Sequence, residues 1–112
     1  MGPDPIFCQM YPSRESENMS LFVVEYTYSA DTVAGRDEHR PAHREWLGEL
    51  AEQKTVVSSG PFADGSGAFI LVDAADVAAV EQLFTNDPFA RNGLVTATRI
   101  VEWVPVLGAF SS

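Results

Sequence analysis

Thr55 to Ala74, TVVSSGPFADGSGAFILVDA, contains two apolar runs with no helical pattern between them. Thr55 to Ser59 reads as a short strand stopped by the Gly60-Pro61 turn signal. ADGSG then supplies a loop, and GAFILVDA forms a second, strongly apolar strand ending near Asp73. Two strands in direct succession interrupt any simple alternation of strand and helix, so the elements on either side of this pair define the topology.

On the N-terminal side, Ala42, Trp46, Leu47, Leu50 and Ala51 recur at helical spacing, and Arg44, Glu45, Glu49 and Glu52 fill the opposite face. Proline is favoured in the first turn of a helix, so Pro41 predicts a start about there and an end near Gln53. A polar run, SADTVAGRDEHR, precedes it, with Gly35 interrupting any helical pattern. Before that, LFVVEYTY from Leu21 to Tyr28 has the β-branched and aromatic profile of a mostly buried strand. On the C-terminal side, Asp73 or Asp76 can cap a helix whose apolar stripe is Val77, Val80, Leu83 and Phe84. TNDPFARNG breaks that helix, and LVTATRIVEWVPV closes the chain as a long last strand, with Pro105 near its end or on an edge.

The order strand, helix, strand, strand, helix, strand is the split βαβ pattern of a ferredoxin-like α+β fold, a four-stranded antiparallel sheet with two helices on one face. That arrangement leaves the other face uncovered. Strands as apolar as FILV and RIVEWV are poorly suited to water, and an exposed patch of that size marks an interface. A homodimer packed sheet against sheet, of the dimeric α/β-barrel type, is therefore expected.

Length and composition narrow the function. A chain of 112 residues is the size of one domain, and 46% apolar with 21% charged residues is the balance of a folded protein. Sixteen acidic against seven basic residues give a net charge of −9, with no basic run to neutralise a series of phosphates, which argues against nucleic acid as a partner. No segment reaches the roughly 20 apolar residues that span a bilayer, and the N-terminus lacks a signal-peptide pattern, so no membrane partner and a cytoplasmic location are expected. Residues 1–18, with three prolines and no period, read as a poorly ordered extension ahead of a domain spanning 19–112. Cys8 within that extension has no partner in the chain for a disulfide or a CxxC metal site.

The residues able to carry chemistry cluster in RDEHRPAHREWLGEL, Arg36 to Leu50. His39 and His43 stand four apart, but the HExxH form is absent, a zinc site needs further ligands, and Pro41 places His39 in the preceding loop; no metal is expected. His43 falls at the edge of the buried helix face, ahead of Leu47 and Leu50. Alone it fits either a structural histidine bonded at the helix start or an acid-base group, and a carboxylate partner would favour the second. Arg40 can stabilise a substrate anion or pair with a neighbouring carboxylate. Ser59 can line a pocket or simply end its strand. Asp87, in Asn-Asp-Pro, has an ordinary use in ending one helix and beginning a turn. No triad and no phosphate-cradling glycine loop is present, and no cofactor is expected.

RPAHREWLGEL, SSGPF and GAFILVDAADVAAVEQLFTNDPFARNGLV, in this order, resemble the YciI-like (YCII-related) family. Its members carry an arginine-proline-alanine-histidine helix start, a glycine-proline turn after the second strand, and an aspartate-proline-phenylalanine motif after the second helix. The match covers residues 19–110. The resemblance implies a dimeric ferredoxin-like fold with a histidine-aspartate pair in a pocket, which here are His43 and Asp87. It also implies a small cofactor-free enzyme of lyase or isomerase type acting on a small aromatic, lactone or keto compound, since one such relative dehydrochlorinates a chlorinated hydroxyquinol. The alternative is a dimeric module that binds a small molecule in the same pocket without turnover, because one fold hosts several chemistries.

Overall fold

Ser20–Thr27 forms strand β1, in which Phe22, Val24 and Tyr26 are buried on one side while Leu21, Val23 and Glu25 project to the other. The computed structural model describes residues 20–110; the extension expected at 1–18, with Cys8, lies outside them. A 3-10 turn at Ala30–Thr32 leads into helix α1, Val33–Glu52, followed by β2, Val56–Pro61, and β3, Gly67–Ala74. Helix α2, Val77–Phe84, a one-turn helix α3, Pro88–Arg91, and β4, Ala97–Trp103, complete the chain. The strands are ordered β2-β3-β1-β4, and all neighbours are antiparallel. This is the ferredoxin-like α+β arrangement expected from the element order, with α3 added.

The core lies on one face of the sheet. Phe22, Val24 and Tyr26 of β1 and Ala68, Ile70, Val72 and Ala74 of β3 pack there against Leu50 of α1 and Val80 and Phe84 of α2. Helix α2 begins where Asp76 accepts from the Ala79 N–H at 2.8 Å, so Asp76 is the cap. Val77, at the first helical position, is exposed rather than part of the apolar stripe, and so are Ala42 and Ala51 of α1.

Three boundaries differ from expectation. Helix α1 begins eight residues before Pro41, which lies inside it, and His39 is a half-buried helical residue rather than part of a loop. Tertiary packing outweighs the proline here. Arg36 is drawn into the structure by bonds from its Nε to the Thr32 hydroxyl (3.1 Å) and from its Nη2 to the Ser29 carbonyl (2.9 Å). Gly35 lets Leu94 approach so closely that a Cβ at position 35 would lie 2.6 Å from the Leu94 Cδ2. The apparent helix breaker is thus a packing surface.

Strand β2 does not stop at Ser59 but continues through Gly60 and Pro61, which pair with Phe69 and Ala68. It is an edge strand, where the missing proline N–H costs no ladder bond. A bulge between Val56 and Ser58 shifts the phase, so that Ser59 pairs with Ile70 and faces the helices, as Val56 does. The last strand is shorter than Leu94 to Val106: it spans Ala97–Trp103, with Pro105 beyond its end, because Leu94 is instead buried against α1. On the face away from the helices, Val101 and Trp103 of β4 and Phe69 of β3 are exposed.

Candidate functional site

Burying a tyrosine in a core leaves its hydroxyl in need of a partner. Tyr26, almost wholly buried in the centre of β1, donates its O–H to Asp87 Oδ2 at 2.5 Å. Asp87 is 0% exposed and its other oxygen, Oδ1, accepts twice, from the Phe89 N–H at 3.0 Å and from His43 Nδ1 at 2.7 Å. The first of these bonds caps α3, whose Pro88 occupies the first turn as prolines favour. The turn-forming and histidine-binding uses of Asp87 coexist. Three donors surround one buried carboxylate, the arrangement a buried charge requires.

The network fixes the imidazole. A carboxylate that only accepts requires Nδ1 to carry the proton, so Nε2 is the ring nitrogen left for chemistry. His43 is 7% exposed and stacks on Phe89 with ring centroids 3.9 Å apart and planes 1° from parallel. Phe89 meets Tyr28 edge to face at 6.0 Å, and the Arg36 guanidinium lies 4.2 Å above the Tyr28 ring. Each ring is thereby held by its neighbour.

Burial, followed by the charge and hydrogen bond of Asp87, pushes the Tyr26 hydroxyl well above the ordinary tyrosine range. Tyr28 is also raised, first by burial and then by Asp87, while Arg36 and Arg40 pull it in the opposite direction. Tyr26 stays a neutral donor to Asp87, not a proton acceptor.

His43 lines a cavity of about 530 Å³ between α1 and the β2 side of the sheet, a volume typical of small-molecule sites. Leu47, Val56, Ile70 and Phe89 supply apolar wall. Ser59 lines it too, on the face to which the bulge in β2 turns it, and Arg40 stands at its edge, paired with Asp37 at 2.6 Å. All four candidate residues from the sequence thus meet at or beside one cavity, with Asp87 behind His43. Among the described residues, no group of three or more His, Cys, Asp and Glu side chains is placed to hold a metal ion, and no helix is long and apolar enough to cross a membrane.

No motif in the sequence marks Tyr26, Arg36 or Arg44 as a member of the site, and Phe89 stands out only as the end of the Asp-Pro-Phe motif. Tyr26 was hidden as one more aromatic position of a buried strand, and its partner is 61 residues away. Arg36 and Arg44 do carry a signal, since with Arg40 they repeat every four residues. That spacing becomes meaningful only once the helix is known to start before Pro41.

Comparison with known proteins agrees with this architecture. The uncharacterised protein YjpA of Bacillus subtilis (strain 168) is 30% identical over 81 residues, covering 70% of this chain and 94% of YjpA. Among solved structures, the 5-chloro-2-hydroxyhydroquinone dehydrochlorinase TftG from Burkholderia phenoliruptrix AC1100, in complex with 2,5-dihydroxybenzoquinone, superposes with a TM-score of 0.66. It is 25% identical, and the match covers 74% of this chain and 92% of TftG. The family model of the YCII-related domain matches residues 20–104, from the start of β1 to just beyond the end of β4, and the chain belongs to the YCII-related family.

Proposed function

We propose that the chain is a small enzyme of lyase or isomerase type, working without a cofactor, in which His43 Nε2 is the general acid or base and Asp87 holds the ring. The observation that carries this reading is the bond from His43 Nδ1 to a fully buried carboxylate, which leaves Nε2 as the nitrogen available to a ligand-sized cavity. Such a base removes a proton beside a carbonyl or from a phenol. In an elimination, the C–H electron pair becomes the new C=C bond, the leaving group departs with its own pair as an anion, and Nε2 keeps the proton. In an isomerisation the same proton is returned to another carbon. The likeness to a dehydrochlorinase supports the eliminating form, on a small aromatic, lactone or keto compound. Ser59 and Arg40 contact the substrate in this reading.

A screen of chlorinated hydroquinols and muconolactones against the wild-type protein and His43→Ala tests it. The variant is expected to lose about a hundred- to ten-thousandfold in kcat, the usual contribution of a general base. Undiminished turnover by His43→Ala would rule out the role given to His43. Saturable binding by the wild type with no turnover of any member would identify a small-ligand-binding module instead.

We also propose that two copies pair through the open sheet face, where Phe69, Val101 and Trp103 are exposed.

A further inference from the structure

The chain carries a net charge of −9 and only seven lysines and arginines, yet Arg36, Arg40 and Arg44 all line this cavity, and among the described residues no aspartate or glutamate does. Each of them is one helical turn from the next on α1, so they form a stripe along a single face, with His43 beside the last. Arg36 is the most telling of the three. Only 7% exposed, it donates to a hydroxyl and a carbonyl and stacks on Tyr28, but no carboxylate among the described residues pairs with it. Neutral acceptors take two of its N–H groups without balancing its charge, and a buried charge is costly until something does. Arg40 is oriented by Asp37 and retains donors for a second acceptor, and Arg44 has no ion-pair partner among the described residues. The rest of the cavity wall includes Tyr28, Leu47, Ile70 and Phe89, surfaces suited to a flat apolar body.

We propose that the cavity is a receptor for a small planar organic anion, a ring bearing a carboxylate or phenolate, whose negative group balances the charge of Arg36 and is held by the arginine stripe. This inference rests on the cavity being the substrate site of the proposed reaction, and it names the substrate class. The ring lies against the aromatic and aliphatic wall. Arg36 stands about two helical turns, on the order of 10 Å, from His43 along α1, which lets a single-ring ligand reach both. In an otherwise acidic protein such a stripe also draws anions to the cavity mouth.

Calorimetric titration of the full chain with 2,5-dihydroxybenzoate and with the neutral 2,5-dihydroxybenzamide, at low and at high salt, tests the proposal. The acid is expected to bind at least about tenfold more tightly than the amide, with the advantage shrinking as salt screens it. The double variant Arg40→Gln/Arg44→Gln, on the less buried part of the stripe, is expected to lose most of that advantage, its affinity for the acid falling toward its affinity for the amide. Arg36→Gln should lose it too, provided its melting curve shows a folded protein. Equal binding of acid and amide, an undiminished preference in the double variant, binding of inorganic phosphate as tight as that of the acid, or no binding of either ring compound would each overturn the proposal. His43→Ala separates it from the catalytic reading. Undiminished turnover there removes the acid-base role while the preference for the anion stands, whereas loss of the preference with His43-dependent turnover intact removes only the anion receptor.

Discussion

Tyr26 ties the proposed chemistry to the stability of the core. Its hydroxyl is held in the protonated form by burial and by Asp87, so the folded state keeps a proton that the unfolded chain releases near the ordinary tyrosine value of about 10. Above that pH the folded state binds more protons than the unfolded one, and stability falls as pH rises, by up to about 1.4 kcal/mol per pH unit for each such group. Below it the contribution is complete. Urea melts between pH 8 and 11 should therefore show a steeper alkaline loss for the wild type than for Tyr26→Phe; Tyr28, also raised, leaves a residual slope in both. At neutral pH the same variant leaves Asp87 Oδ2 buried without its donor and should lose about 1–3 kcal/mol. The histidine and the aspartate of this network were legible in the sequence through the family resemblance that RPAH and NDPF help to carry. The tyrosine was not, since alternation along a strand tells which side a ring faces and nothing about what its hydroxyl meets.

Helix α1 shows the opposite balance of local and distant causes. The Trp46, Leu47 and Leu50 part of its apolar stripe and an end within a residue of Glu52 could be read directly, but its start could not, because the first two turns are held by the Arg36 side chain and the fit of Leu94 over Gly35. Pro41 within the helix removes one backbone bond, so Pro41→Ala should raise stability, by about 1–3 kcal/mol in a thermal melt, and no change or a loss would mean the helix has adapted to the ring. Two glycines give a paired contrast. A Cβ at Gly35 meets only the end of the Leu94 side chain, which can turn aside, whereas one at Gly67 would lie 1.8 Å from the Tyr26 carbonyl oxygen, in the backbone of the neighbouring strand. Gly35→Ala should remain folded with a small change in melting temperature, and Gly67→Ala should fail to give a cooperative transition by circular dichroism. The bulge in β2 belongs with these long-range effects. Ser59 was a candidate from its place before Gly60-Pro61, but its facing depends on the extra residue between Val56 and Ser58, which no local pattern announces.

At the level of the assembled protein, element order alone was enough to give the topology, because few arrangements satisfy strand, helix, strand, strand, helix, strand. It also left one sheet face to be covered. If two copies meet there, light scattering at micromolar concentration should give twice the chain mass of 12.2 kDa, and a glutamate in place of Trp103 or Val101 should shift the protein to monomer; a wild-type monomer would count against the pairing. Behind the cavity on the other side of the sheet, a single oxygen, Asp87 Oδ1, both starts α3 and holds the imidazole. Selection for a stable fold is therefore enough to preserve the aspartate, even in a descendant without the proposed reaction. Across such a lineage an aspartate at this place testifies to folding, and only the histidine facing it would bear witness to the proposed chemistry.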